Sequence, residues 1–292
     1  MSDYLVKGIT ANGAFRMLAV DGTELVQTAQ IDHDTWSASS AALGRTLVGT
    51  LLLSSALLKD EEKLTVRILG DGPVGAIVAD GNAHGTVKGY LSQPHVNLPL
   101  NPVGKIDVRR AVGTNGMINV TKDLGLKEPF TGQVPITSGE IAEDLTYYLA
   151  KSEQIPSAMG LSVFVNQDNS IGVAGGFLIQ ALPGATDEQL TQLEHNLKDL
   201  PLVSDLLRQG KTPEEILQTI FAGDELKFLE KMPVAFQCDC SKDRFAKALA
   251  TLSQNDLNEM IEQDHGAEAV CKFCGKKYQF TEEELKALIQ SK

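Results

Sequence analysis

Four cysteines carry the most specific chemistry that this sequence offers. They form two close pairs near the C-terminal end, in Cys238-Asp-Cys240 and Cys271-Lys-Phe-Cys274. Four Cys sulfurs are a common tetrahedral ligand set for Zn²⁺, so this pairing predicts a zinc site whose ligands are Cys238, Cys240, Cys271 and Cys274. The same thiols are the chain's only cysteine redox groups. The site is therefore either a structural metal site that stabilises the fold or a redox switch.

The two pairs differ in kind. Cys271 and Cys274 are followed by Gly275, which allows the tight turn of a zinc knuckle under the second sulfur. The Cys-x-Cys pair is unusual for a structural site, because sulfurs two residues apart could close on each other once a metal leaves. Zinc-bound sulfur is thiolate, the nucleophilic and oxidisable form. We interpret His265 as an exposed loop residue, since four cysteines suffice.

Composition excludes several classes of protein. The 292 residues carry a net charge of −12, which argues against a nucleic-acid partner because phosphate contacts need clustered basic residues. The N-terminus shows no signal-peptide pattern. The most apolar stretch, residues 46–58, is shorter than the roughly 20 residues of a membrane span and predicts a buried core helix. We therefore expect a cytoplasmic protein with no membrane partner, where thiols stay reduced.

The elements that must position the cysteines predict an α+β fold. Residues 1–180 predict an N-terminal domain with a mixed, mostly antiparallel sheet, because strands recur in hairpins and Asn12-Gly13 marks one of the turns. We expect a helix over 139–151, capped by Ser138, and the core helix over 36–58. The expected strands cover residues 4–9, 14–20, 64–69, 76–79, 86–91, 117–121, 132–136, 161–166 and 171–180.

Two further segments follow. Residues 181–232 predict an acid-rich helical linker of short helices separated by Pro and Gly, including one over 224–231 and one opened by Thr212-Pro-Glu-Glu215. Residues 233–292 predict a small zinc domain with helices near 243–252 and 256–263. A hairpin over 267–271 and 276–280 carries the second Cys pair, and Thr281 caps a last helix. A domain this small has a marginal core, so a metal would add needed stability.

Other motifs predict structure rather than catalysis. Gly70-Asp-Gly72-Pro-Val-Gly75 fits a dinucleotide-binding pattern, but the following residues are β-type and open no helix, so we interpret the glycines as turn residues. The remaining histidines, His33, His84, His95 and His195, are interpreted as surface or turn residues. No catalytic residue is assigned, and we expect no enzyme.

The chain resembles the 33 kDa chaperonin family, the redox-regulated heat-shock protein 33 group. The resemblance covers essentially the whole chain. In the tail it rests on Phe236-Gln-Cys-Asp-Cys-Ser241 and Val270-Cys-Lys-Phe-Cys-Gly-Lys-Lys-Tyr-Gln-Phe280. The N-terminal matches are Phe15-Arg-Met-Leu-Ala-Val-Asp21, Ala42-Leu-Gly-Arg-Thr46, Gly70-Asp-Gly-Pro73 and Gly176-Phe-Leu-Ile-Gln180.

This resemblance implies an ATP-independent holdase of the bacterial cytoplasm, inactive while four thiolates hold zinc. Peroxide or hypochlorous acid under unfolding conditions oxidises the thiols, zinc leaves, and the family pattern pairs Cys238 with Cys240 and Cys271 with Cys274. The zinc domain and linker then unfold. Apolar surface, on the linker or on the sheet of the first domain, becomes available to unfolded or oxidatively damaged client proteins, and active members form homodimers.

Two other functions stay open. One is a binding or adaptor module with a purely structural zinc site of four cysteines, against which the acidic charge and the Cys-x-Cys pair weigh. The other is a thiol oxidoreductase that uses Cys271 and Cys274 as its redox couple. It is disfavoured because no thioredoxin-like βαβ pattern surrounds the pair.

Overall fold

The structure is a computed structural model that describes residues 2–290. It divides into two compact units, Met1–Gln237 and Cys238–Lys292. The strands are β1 (Tyr4–Thr10), β2 (Phe15–Asp21), β3 (Lys63–Gly70), β4 (Ala76–Asn82), β5 (Thr86–Leu91), β6 (Gly116–Asp123), β7 (Phe130–Pro135), β8 (Ser157–Val165), β9 (Ile171–Ala181), β10 (Leu226–Pro233), β11 (Ala235–Phe236), β12 (Gly266–Val270) and β13 (Lys277–Thr281). The helices are α1 (Thr23–His33), α2 (Ser37–Leu57), α3 (Val108–Val112), α4 (Ala142–Lys151), α5 (Asp187–Lys198), α6 (Val203–Arg208), α7 (Pro213–Ile220), α8 (Lys242–Leu249), α9 (Gln254–Glu262) and α10 (Glu282–Gln290).

The first unit contains two sheets. A five-stranded sheet has the order β10-β1-β2-β9-β8, and all its neighbouring strands are antiparallel. A six-stranded sheet has the order β11-β5-β4-β3-β6-β7 and is antiparallel except for the parallel pair β11 and β5. The α+β fold with a mostly antiparallel sheet is therefore confirmed.

Helix α2 forms the centre of this unit, since it contacts strands of both sheets. By length and composition it could cross a membrane, but 83% of its apolar window is buried inside the protein. It is therefore the core helix that the apolar stretch 46–58 predicted.

The five-stranded sheet is apolar on both faces. Adjacent residues alternate between two clusters: Leu18 and Leu178 belong to the main core with α2, whereas Met17 and Ile179 belong to a second cluster. That second cluster also contains buried side chains of α5, α6 and α7, among them Leu217. The acid-rich helices thus bury their apolar stripes on the outer face of the sheet, which explains both patterns in the sequence.

The second unit has a small core. A two-stranded sheet of β12 and β13 packs with α9 and α10. Its buried core residues are Leu257, Ile261, Phe280 and Leu285. The predicted hairpin and the three predicted helices of this unit are confirmed.

Two local predictions are wrong. Residues 224–231 were expected to be helical, but β10 (Leu226–Pro233) is a strand that pairs with β1. The free main-chain groups at the edge of β1 outweigh local helix propensity here. Ser138 was expected to cap α4. Instead the helix begins at Ala142, and the buried carboxylate of Asp144 accepts N–H bonds from the loop before it.

The glycine-rich motif lies in a turn, as predicted. It joins the antiparallel strands β3 and β4 and opens no helix. A Cβ on Gly70 would overlap the Val112 carbonyl oxygen, and one on Gly72 would overlap the Ala111 carbonyl oxygen. Close packing against the end of α3, rather than a phosphate, explains these two glycines.

Candidate metal centre

The first Cys pair lies on the short segment between β11 and α8. Cys238 comes two residues after Phe236, the last residue of β11, and Cys240 precedes the helix cap. Ser241 is that cap: its hydroxyl accepts a bond from the Arg244 N–H at 3.2 Å. The start of α8 is therefore fixed locally, which holds Cys240 beside a defined helix end.

The second pair lies in the turn between β12 and β13. The Cys271 N–H donates to the Lys276 carbonyl at 2.9 Å, and the Gly275 N–H donates to the Cys271 carbonyl at 2.8 Å. Gly275 has φ +67°, a conformation that favours glycine. This is the tight turn that the Cys-x-x-Cys-Gly pattern predicted, and it leaves the Sγ atoms of Cys271 and Cys274 within 4.8 Å of each other.

The four sulfurs converge. All of them lie within 4.8 Å of one another. The Sγ atoms of Cys238 and Cys271 are 3.7 Å apart, and those of Cys240 and Cys274 are 3.4 Å apart. A tetrahedral site with Zn–S bonds near 2.3 Å needs sulfur separations of about 3.8 Å. The cluster could therefore hold a four-coordinate metal ion with little rearrangement.

Burial at the site is uneven. Cys271 is buried, whereas Cys238, Cys240 and Cys274 are half-buried. Burial raises the pKa of the Cys238 thiol well above its ordinary value, and burial raises that of Cys274 to about 11. At Cys240 burial acts in the same direction, but hydrogen bonds from Tyr278 and the neighbouring thiols outweigh it and lower the pKa.

Tyr278 is the residue at this site that sequence reasoning did not assign. Its hydroxyl lies 3.0 Å from the Cys240 carbonyl oxygen and 3.2 Å from the Cys240 sulfur, within donating distance of both acceptors. Its ring packs on Phe245 of α8, with centroids 5.2 Å apart. Because β12 pairs with β13, the hairpin that carries the second Cys pair also brings Tyr278 to the first pair. Only this long-range pairing reveals the contact.

The histidines lie outside the cluster. His265 is exposed, as its loop position predicted. Its Nδ1 atom lies 3.0 Å from a carboxylate oxygen of Glu282. His84, His95 and His195 are also exposed. His33 ends α1 and is half-buried, with its Nε2 atom 2.9 Å from the Gly89 carbonyl oxygen. Within residues 2–290, the four cysteines form the one group of three or more His, Cys, Asp or Glu side chains placed to share a metal ion.

Known proteins resemble this chain in both sequence and fold. The family model described as "Hsp33 protein" matches residues 3–281. A 33 kDa chaperonin of Levilactobacillus brevis is 63% identical over 99% of this chain and 98% of its own length. One of Limosilactobacillus fermentum is 65% identical, with 100% of both chains covered. The crystal structure of a 33 kDa chaperonin, a heat shock protein 33 homolog from Thermotoga maritima, has 38% sequence identity and a TM-score of 0.93 over 100% of this chain and 99% of that one. With its four-cysteine cluster and this match along nearly its whole length, the chain belongs to the Hsp33 family of chaperones.

Proposed function

We propose that this chaperone is a redox-regulated, ATP-independent holdase and not an enzyme. It binds unfolding and oxidatively damaged proteins and keeps them from aggregating. The observation that carries the proposal is the convergence of four thiols within 4.8 Å in a unit with a four-residue buried core. A unit with so small a core needs a cross-link between its cysteines to stay folded, so a chemical change at the sulfurs alters the stability of the whole unit.

The proposed cofactor is Zn²⁺, held by Cys238, Cys240, Cys271 and Cys274. The all-sulfur donor set and the observed separations fit tetrahedral zinc. Bound zinc would keep the four sulfurs as thiolates and contribute on the order of 10–16 kcal/mol of binding free energy to the small unit. The turn at Gly275 and the cap at Ser241 hold the ligands in place for it.

Oxidation by peroxide is the proposed trigger. One thiolate of a pair attacks the peroxide, releases hydroxide and becomes a sulfenic acid. The second thiolate attacks that sulfur, a disulfide forms, and a second hydroxide leaves, so each pair gives two electrons to one peroxide. Following the family resemblance, we propose the pairs Cys238–Cys240 and Cys271–Cys274. Neither disulfide can serve as a thiolate ligand, so the oxidised cysteines would no longer hold zinc and the unit would lose its main cross-link.

The proposed three-part organisation explains how the change spreads. A chaperone core (residues 1–180) is followed by a linker (181–232) and a redox-sensing domain (233–292). Helices α5 to α7 of the linker lie on the outer face of the five-stranded sheet. They are short and carry a few polar contacts to it. The Tyr4 hydroxyl donates to Glu214 at 2.7 Å, and the buried Ser162 and Ser204 hydroxyls are 2.9 Å apart.

Release of the linker would expose two apolar surfaces at once. One is the inner stripe of α5 to α7, and the other is the sheet face formed by residues such as Phe15, Met17 and Phe177. Large exposed apolar patches bind unfolded chains, while the acidic linker keeps the complex soluble. We propose that the active form is a homodimer and acts in the cytoplasm.

The test is to treat the full-length chain with peroxide at a mildly unfolding temperature and add a thermally unfolding client without ATP. The proposal expects oxidised protein to suppress client light scattering, reduced protein not to, and a dithiol reductant to reverse the effect. Equal activity before and after oxidation would instead support a static zinc adaptor.

A further inference from the structure

Strand β10 occupies the edge of β1 in an unusual way. It pairs with β1 from Tyr4↔Pro233 to Thr10↔Leu226, with one irregularity between Lys7 and Gly8. Yet Met232 is its only buried residue, Leu226 is half-buried, and the other six are exposed. Few of its side chains are packed in the core, although Glu230 pairs with Lys7 at 2.9 Å and the Lys231 ammonium lies 3.6 Å from the centre of the Tyr4 ring. Main-chain bonds to β1 run along the whole strand and are its most continuous contact.

The main-chain groups of β1 that face β10 can be identified. At one end the Val234 N–H donates to the Asp3 carbonyl at 3.2 Å, and at the other the Ala11 N–H donates to the Glu225 carbonyl at 2.7 Å. Because antiparallel bonding alternates, the odd-numbered residues of β1 face β10 and the even-numbered ones face β2. Pro233 fits this register: it stands opposite Tyr4, where its missing N–H faces outward.

The edge strand also runs directly into the proposed metal site. After Pro233 the chain forms β11, whose following residue Gln237 donates its N–H to the Val87 carbonyl at 2.9 Å. The next residue is Cys238, the first proposed ligand. Any unfolding that spreads along the chain from the cysteines to the helices of the linker must pass through β11 and β10.

We propose that β10 is a placeholder strand, and that in the activated protein the vacated edge of β1 binds extended segments of unfolding clients by antiparallel strand addition. The inference rests on the proposed holdase function and adds a binding surface to the apolar faces described above. It commits to one occupant, an extended polypeptide segment with unpaired main-chain N–H and C=O groups.

The chemistry of the edge suits a holdase. Every unfolded chain carries the same main-chain donors and acceptors, whatever its sequence. The edge already accepts a strand whose side chains are mixed: Lys227, Glu230 and Lys231 are charged, while Phe228 and Leu229 are exposed apolar residues. A surface that tolerates such a strand can hold many clients. In the resting state β10 itself forms the edge of the sheet, where its lysines and its irregular register discourage edge-to-edge aggregation.

Residue-resolved hydrogen exchange on the full-length chain tests the proposal in three states: reduced, oxidised, and oxidised with a captured client. We expect the amides of Leu5, Lys7 and Ile9 to be protected, then exposed, then protected again, with roughly tenfold slower exchange in the client complex than in the oxidised protein alone. The amides of Val6 and Gly8, which face β2, should stay protected throughout and serve as internal controls.

Two synthetic peptides with the sequence of residues 224–235 give an independent readout. One is N-methylated at Glu230 and Met232, which face β1, and the other at Leu226 and Lys231, which face outward. Only the second should compete with the client, because the first has lost two of its central donors to β1 and carries methyl groups that face that edge.

The outcomes separate the two proposals. If oxidised protein retains no client, the proposed function fails and this inference fails with it. If clients are retained while the odd-numbered amides of β1 stay exposed, strand addition is overturned and the holdase proposal stands. Equal competition by both peptides would also overturn strand addition, because recognition would then depend on side chains.

Discussion

Leu217 allows a sharp test of the idea that linker docking keeps the chaperone inactive. Its side chain is fully buried in α7 within the cluster on the outer face of the sheet. Truncating a buried Leu to Ala costs about 2–5 kcal/mol. If release of α7 exposes this side chain, Leu217→Ala removes that free energy from the docked state only. The ratio of released to docked protein then rises roughly 30- to 5,000-fold.

The matched control is Leu47→Ala in α2. Leu47 is equally buried, but it lies in the main core rather than in the cluster with the linker. Both variants lose the same atoms and comparable global stability, so only an effect on linker docking distinguishes them. Each purified, reduced variant is titrated with peroxide, and suppression of client light scattering is recorded at each step.

We expect Leu217→Ala to reach half-maximal client holding at a lower peroxide dose than the parent chain and to show partial holding while still reduced. Leu47→Ala should need the parent dose, although its melting temperature falls. The reasoning is refuted if Leu217→Ala requires the parent dose, or if Leu47→Ala shifts the dose by the same amount.

Three further predictions concern the cysteine cluster and the N-terminal edge. Cys274→Ser should lower zinc affinity by at least about a hundredfold and unfold the small C-terminal unit within the full-length chain, because its core then lacks a cross-link; chelator competition and hydrogen exchange measure the two effects. Tyr278→Phe should speed peroxide-driven zinc release about two- to tenfold, since it removes the hydroxyl 3.2 Å from the Cys240 sulfur; an unchanged rate in a zinc-indicator assay would contradict this. Burial raises the pKa of Asp3 from 3.8 to about 6. Because the folded-state pKa lies above the unfolded one, the stabilisation from this group is complete below pH 3.8 and is lost as pH rises through about 6. The unfolding free energy of the parent chain should therefore fall by on the order of 3 kcal/mol over this range on account of Asp3, and Asp3→Asn should abolish that fall.

Local signals in the sequence predicted much of the fold. Asn12-Gly13 marked the β1–β2 turn, where Gly13 has φ +72° and the Gly13 N–H donates to the Thr10 carbonyl at 2.8 Å. Thr212 predicted the start of α7, where it caps the helix with Glu215. The spacing of the cysteines predicted the cluster because each pair sits on its own short turn. In these cases the physical cause lies within a few residues of the signal.

The elements that were missed depend on distant partners. Strand β10 exists because β1 offers an open edge more than two hundred residues earlier in the chain. Helix α1 was not predicted because its N-cap residue, Gly22, has no capping side chain. The Glu24 and Leu25 N–H groups donate instead to the distant carboxylate of Asp3, at 3.1 and 2.7 Å. The Tyr278 contact with Cys240 needs the β12–β13 register. No window of neighbouring residues contains these causes.

The central claim is that one event, loss of the thiolate cluster, turns on client holding. The most direct measurement titrates a single sample of reduced, zinc-loaded chain with peroxide and records released zinc, remaining free thiols and client light scattering at each dose. We predict loss of one zinc and four thiols per chain, with holding that rises over the same dose range and is reversed by dithiol reductant. Full holding with zinc retained, or complete zinc release without holding, would contradict the account.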